Sequence, residues 1–174
     1  MKIFAIQYGY LGIFLISLIG SMSIFIPIPS AVVIFALGGL EIFDPFWIAV
    51  VAGLGSAIGE FSGYLIGMGS RKVINEKYKK KIDFVVKLFK KYGSIAIFLF
   101  AFTPLPDDLL FIPLGLMRYS LVRAFIPALI GKFASNLVIA YSGRFSLQII
   151  RDIFGGEGEG ISAIIGTVLG IVLL

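Results

Sequence analysis

Apolar residues run almost without interruption along this chain, and the interruptions organise it. Residues 46–70 and 121–143 each offer roughly 23 to 25 residues, about 35 Å if helical, enough to cross the hydrocarbon of a bilayer. Between about Ser70 and Tyr92 the pattern changes. Arg71, Lys72, Lys77, Lys79, Lys80, Lys81, Lys87, Lys90 and Lys91 stand there against Glu76 and Asp83. Ile74, Tyr78, Ile82, Val85, Phe89 and Tyr92 recur every three or four residues, which predicts an amphipathic helix over 70–92 on an anionic membrane surface. A shorter apolar stretch, 161–174, closes the chain; as a helix it would measure about 21 Å, short for a span.

Two further interruptions lie inside apolar runs. FIPIPS holds Pro27 and Pro29, and FTPLPDD holds Pro104 and Pro106. Proline removes an N–H and frees the carbonyl four residues back, which hydrocarbon tolerates only where protein or a wet cavity satisfies the exposed groups. The arms on the tighter side of each turn are about ten residues, long enough to reach the bilayer midplane and return. Each element is therefore expected to be a re-entrant hairpin. The two halves also match in order. Pro27 and Pro104, Pro29 and Pro106, Gly38 and Gly115, and Tyr64 and Tyr141 are each 77 positions apart; Gly55 and Gly131, Glu60 and Asn136, and Gly67 and Gly143 are 76 apart. Ordered agreement of this kind indicates an internal duplication. Because the helix over 46–70 crosses once between the hairpins, the copies are inverted, the first opening outward and the second toward the cytoplasm. The expected architecture is an all-α integral membrane domain: repeat one over about 25–70, the amphipathic helix over 70–92, repeat two over about 94–144, and the C-terminal helix.

Composition supports this reading. Of 174 residues 59% are hydrophobic, with a mean hydropathy of +1.03, more than a soluble domain of this size can bury. The chain has neither cysteine nor histidine, which excludes thiolate nucleophiles, zinc–thiolate sites and imidazole catalysis. It also lacks a nucleotide-binding glycine motif. Binding and movement without a cofactor are expected rather than bond chemistry. The net charge of +5 concentrates in 70–92, which the positive-inside rule assigns to the cytoplasm, giving a multi-pass protein of the cytoplasmic membrane. Its partners are then membrane lipids and not nucleic acid; self-association is left open. Met1-Lys2, the apolar run to Ile19 and Ser21-Met22-Ser23 have the outline of a secretory signal. Direct continuation into the repeated proline element makes them part of the fold instead.

Few polar residues stand at membrane depth. Glu60 lies halfway along 46–70 beside the stripe Gly55, Gly59, Gly63 and Gly67, whose bare face suits close helix packing. A carboxylate there costs several kcal/mol unless it is neutralised, paired or hydrated, so it is a candidate proton carrier. Lys132 and Asn136 lie one turn apart on the second crossing helix. Lys132 either snorkels to the interface or turns inward to pair with Asp107, Asp108 or Glu60. Asp107 and Asp108 begin a half-helix, where one suits an N-cap and the other is free to take up and release a proton. Arg118 and Arg123 follow the second hairpin, as topology signals or as a gate for an anion.

GSAIGEFSGYLIGMGSRK, from Gly55 to Lys72, resembles the G-x-x-x-G-[D/E]-x-x-x-Y-x-x-G signature of the DedA superfamily, also called the VTT or SNARE-associated domain. FTPLPDDLLFIPLGLMRYS and FIPALIGKF resemble its second hairpin and following helix, and Gly115 to Arg118 with Gly131-Lys132 look most like the small YqaA-like branch. The resemblance implies inverted hairpins and movement of a polyprenyl phosphate or phospholipid between leaflets, with coupling to the proton motive force. The chain departs from the family's F-x-R-F-x-P-x-x-R pattern: Ala101 replaces the first arginine, carboxylates stand near the second, and Ser30 replaces an acid of the first hairpin. Arginine is the natural phosphate ligand, and an acid-lined cavity better suits the alternative, a proton-coupled exporter of small cations. A third alternative is a non-transporting assembly factor. The expected substrate ligands are Lys132, Arg118, Arg123 and Asn136, with Glu60, Asp107 and Asp108 handling protons.

Overall fold

The computed structural model describes residues 8–22, 30–70, 92–103 and 108–154, and everything among them is helix or short turn. In chain order the helices are α1 (Tyr10–Met22), α2 (Ser30–Gly38), α3 (Pro45–Gly59), α4 (Phe61–Ser70), α5 (Tyr92–Phe102), α6 (Asp108–Leu116) and α7 (Leu121–Phe154). No strand occurs among the described residues. The four expected proline breaks, Pro27, Pro29, Pro104 and Pro106, lie outside them, as do the predicted amphipathic segment and the C-terminal apolar stretch.

Among the described residues two spans are long and apolar enough to cross a membrane, Pro45–Ser70 and Leu121–Ile149. The first begins at a strong start signal. The Asp44 carboxylate accepts from the Phe46 N–H at 2.8 Å, and Pro45 occupies the first helical position, where a missing N–H costs nothing. Beyond Gly59 this span continues through one turn residue, Glu60, into α4. The second span exceeds expectation. Its helix does not stop near Gly143 but continues to Phe154, because the next helix breakers in sequence are Gly155 and Gly156. Along α7, Val122, Ile126, Ile130, Val138, Tyr141, Phe145 and Ile149 are exposed at spacings that keep them on one side of the helix. An apolar stripe turned outward belongs against hydrocarbon, the reverse of a soluble helix.

Among the described residues the core divides in two, and six positions of one half have counterparts in the other. One cluster joins Ile13 of α1, Ile34 and Leu37 of α2, Ile48 and Ala52 of α3, and Ala140 of α7. The other joins Ile97 of α5, Phe111 and Leu114 of α6, Ala124 and Ala128 of α7, and Tyr64 of α4. The α2 and α6 residues match at 77 positions and the crossing helices at 76, as the sequence indicates, whereas Ile13 and Ile97 are 84 apart. The first arms are thus displaced by seven residues, two helical turns, relative to the proline-based alignment. Helix α1 accordingly begins at Tyr10, seventeen residues before Pro27, and α5 at Tyr92, twelve before Pro104.

Close contacts follow the same correspondence. Gly38 abuts the backbone of Ala140, and Gly143 that of Phe35; in the other half Gly115 abuts Tyr64, and Gly67 abuts Ile112. A β-carbon at any of the four would collide with backbone, so these positions need glycine. The short helix of each half therefore packs on the long helix of the other. The matched tyrosines do not share an environment: Tyr64 is buried, Tyr141 is exposed, and Ala140 fills the place corresponding to Tyr64. The alignment loses a residue before this point, so 76 rather than 77 is the true spacing.

Helix α1 runs in the same direction as α3. Gly55 meets α1 at Phe14 to Leu18, and Gly59 meets it one turn later at Leu18 to Met22. At the other end Tyr10 stacks edge-on with Phe43, and its hydroxyl accepts from the Asp44 N–H at 3.1 Å. From Tyr10 the chain thus descends to the level of Gly59, about halfway along the first span, and is back beside Tyr10 by Phe43.

Candidate functional site

Glu60 stands where α3 passes into α4. Its N–H donates to the Ser56 carbonyl at 3.1 Å, and its own carbonyl accepts from Tyr64 at 3.4 Å, so the backbone stays near-helical while the side chain is buried. The carboxylate meets Lys132 of α7, Nζ to Oε1, at 2.9 Å; the lysine side chain is 16% exposed and the glutamate 2%. Of the partners expected for Lys132, Glu60 is one that the described residues bring to it. The snorkelling alternative is overturned, because the ammonium turns inward to a buried carboxylate.

The pair brings one acid from the first half against one base from the second. Isolated, either charge would be costly in so apolar a surrounding; opposed at this distance they compensate each other. One turn along α7, Asn136 is buried too, and its Nδ2 has no hydrogen-bond partner among the described residues. One turn before Glu60 lies buried Ser56. An ammonium and an unsatisfied amide N–H on one face of a helix form a donor pair suited to an anionic oxygen.

The remaining expected ligands are placed differently. Arg118 and Arg123 are exposed, and Arg118 occupies a left-handed backbone position, φ 50°, in the turn that ends α6. There its N–H donates to the Gly115 carbonyl and the Tyr119 N–H to the Leu114 carbonyl, both at 3.0 Å, which makes Arg118 a helix-terminating residue as well as a surface cation. Asp108 is the first residue of α6, with its side chain outside the described residues; Asp107 lies outside them entirely, so the expected cap falls outside them too. No group of three acids, histidines or cysteines that could hold a metal occurs among the described residues.

Two polar anchors escaped the sequence reading. Arg144 donates from Nε to the Gly38 carbonyl at 3.0 Å and from its second nitrogen to the carbonyls of Leu40 and Phe43. It sits one residue past the expected end of the second crossing helix, so it read as a flank; an arginine between apolar turns of a continuing helix was the available signal. The Tyr64 hydroxyl donates to the Tyr119 carbonyl at 2.8 Å, tying α4 to the turn after α6. Tyr64 was noted only as a matched position beside Glu60.

The model of the VTT domain matches residues 26–145. Two curated relatives resemble nearly the whole chain. A protein of Lactococcus lactis subsp. lactis named alkaline phosphatase-like protein is 26% identical over 183 residues, covering 97% of this chain and 84% of its own length. Its namesake from Lactococcus lactis subsp. cremoris is 26% identical over 184 residues with the same coverage. No solved structure gives a significant match. The matched region takes in α2, α6, the whole first span, α7 as far as residue 145 and the Glu60–Lys132 pair, and the chain belongs to the VTT-domain family, the membrane proteins of the DedA superfamily that its motifs resemble.

Proposed function

We propose that this protein carries an anionic lipid, a polyprenyl phosphate or a phospholipid, between the leaflets of the cytoplasmic membrane, through two re-entrant hairpins in inverted repeat. The observation that carries the reading is the buried Glu60–Lys132 pair with the unsatisfied Asn136 amide one turn away. In the resting site Glu60 neutralises Lys132. An arriving lipid phosphate takes the place of Glu60 on Lys132, Asn136 donates to a second phosphate oxygen, and the displaced Glu60 is left to hold a proton. Exchange of one anion for another keeps the buried lysine compensated throughout, which avoids the large cost of an uncompensated charge.

Three features support the hairpin architecture. The duplicated core pairs each short helix with the long helix of the other half, α1 and α3 run in the same direction with α2 returning between them, and α1 ends beside Gly59 near the middle of a span. Inverted repeats of this kind build their sites where broken helices meet near the midplane. Arg118 and Arg123, exposed after α6, fit attraction of a head group at the entrance. No covalent step is assigned to the protein.

The test is reconstitution of the pure protein in liposomes with a fluorescent polyprenyl phosphate or phospholipid. Leaflet exchange faster than in protein-free vesicles, altered by a pH gradient and lost in Glu60→Gln and Lys132→Ala, is the expected result. Cation-driven proton release without lipid movement would establish the exporter instead. Liberation of inorganic phosphate from the lipid would establish an enzyme, and no activity of any kind an assembly factor.

A further inference from the structure

The charged pair has a neutral counterpart. Under the 76-residue spacing Glu60 corresponds to Asn136 and Lys132 to Ser56, so the relation that brings Glu60 against Lys132 brings Asn136 toward Ser56. The first arms obey the 84-residue spacing, which matches Ser17 of α1 with Ala101 of α5. Glycine contacts agree with both spacings. A β-carbon at Gly55 would lie 3.2 Å from the Ser17 Cβ, and one at the matching Gly131 would lie 2.8 Å from the Ala101 Cβ. Ser56 follows Gly55 in sequence as Lys132 follows Gly131. One half-site therefore consists of Ala101, Lys132 and Glu60, and the other of Ser17, Ser56 and Asn136.

The second set is buried throughout: Ser17 is 0% exposed, and Ser56 and Asn136 are each 6% exposed. Two of its polar atoms, the Ser17 Oγ and the Asn136 Nδ2, have no hydrogen-bond partner among the described residues. A buried hydroxyl or amide in that condition is destabilising, and native proteins commonly satisfy it with a bound water that has roughly two to four polar neighbours. Side-chain lengths indicate where the partner sits. In the charged half the lysine stem carries its ammonium to Glu60; in the neutral half serine ends well short of that place, and asparagine is a methylene shorter than glutamate. An oxygen there would reach a hydroxyl of α1, a hydroxyl of α3 and an amide of α7. The amide N–H is a donor, the hydroxyls donate or accept, and the Lys132 ammonium lies one turn away on α7, so the set favours an oxygen ligand over a metal cation.

We propose that Ser17, Ser56 and Asn136 form a second half-site that holds an oxygen: ordered water in the substrate-free protein, exchanged for a phosphate oxygen when the lipid arrives. The exchange rests on the reading given under Proposed function; the bound water does not. Ser17 becomes a ligand from a helix that precedes the matched region, 26–145, so the family likeness assigns it no role.

A map of the full chain purified in phosphate-free detergent, at a resolution that shows ordered water, tests the first part. Density within hydrogen-bond distance of both the Ser17 Oγ and the Asn136 Nδ2 is expected. The sign of a Ser17→Ala effect gives an independent measure. Loss of a partnered hydroxyl should lower the unfolding midpoint by about 2–4 °C, whereas loss of an orphaned one would raise it. Either no density at this place or a raised midpoint would overturn the proposal. For the second part, Ser17→Ala should weaken binding of a fluorescent polyprenyl phosphate or phospholipid about tenfold. Ala101→Ser, which adds the matching hydroxyl beside the charged pair, should leave that binding unchanged. If wild type and Ser17→Ala bind the lipid phosphate alike, Ser17 is no ligand of it and the proposed function stands. If the water and the lowered midpoint are found but the wild type binds no lipid phosphate, the hydrated half-site stands and the proposed function fails.

Discussion

Nζ of Lys132 lies 2.9 Å from Oε1 of Glu60, so an ion pair joins the two long helices at a point buried in apolar protein. These residues are not counterparts in the duplication. Glu60 corresponds to Asn136, and Lys132 corresponds to Ser56, so the charge arose where the halves diverged.

A pair of this kind should show strong coupling. Glu60→Gln or Lys132→Met alone strands a buried charge and should destabilise by about 3–5 kcal/mol, whereas the double variant should recover most of the loss. Unfolding midpoints in a mild detergent, measured for all four proteins, provide the cycle. Strictly additive losses would mean that the two groups do not compensate each other.

Lys132 also separates phosphate from cation. Lys132→Ala should weaken lipid-phosphate binding by more than the roughly 1 kcal/mol of an exposed ion pair, and Lys132→Arg should restore part of it. Stronger cation binding in Lys132→Ala, with lipid-phosphate binding unchanged, would decide for the exporter.

Two glycines in α4 should respond oppositely to the same substitution. A methyl group at Gly67 collides with the Ile112 backbone, so Gly67→Ala should destabilise by about 1–3 kcal/mol. Gly69 is exposed with open space around it, so Gly69→Ala should stabilise by about 0.5–1 kcal/mol through the lower helix propensity of glycine. Thermal unfolding of the two variants in parallel checks the sign of each.

At the start of the first span, Asp44→Ala removes the acceptor for the Phe46 N–H and should cost about 1 kcal/mol, while Asp44→Asn should stay within a few tenths. Equal losses in both variants would shift the role from capping to charge.

The long apolar helices, the short helices that follow the Pro-x-Pro segments in sequence and the duplication were legible because hydrocarbon-length apolar runs, helix-breaking prolines and spaced glycines are local patterns. Glu60, Lys132 and Asn136 stood out for the same reason: a polar residue at membrane depth is conspicuous in any apolar run. Less legible was the alignment of α1 with α5, because apolar residues follow one another so densely there that no phase is marked and only packing fixes the 84-residue spacing.

Pairing lay beyond the sequence. Helix geometry alone cannot say which carboxylate another helix carries to Lys132; the contact of Gly53 with Phe133, which brings α3 against α7, puts Glu60 within reach. Arg144 and Tyr64 became anchors because their acceptors are carbonyls 104 and 55 positions away, freed by turns whose position depends on the packing of α2 and α6. Composition and pattern along the chain determined the solvent, the helices and the candidate charges. Which charge meets which was decided by long-range packing, since an apolar helix carries no record of its neighbour until glycine lets the two backbones touch.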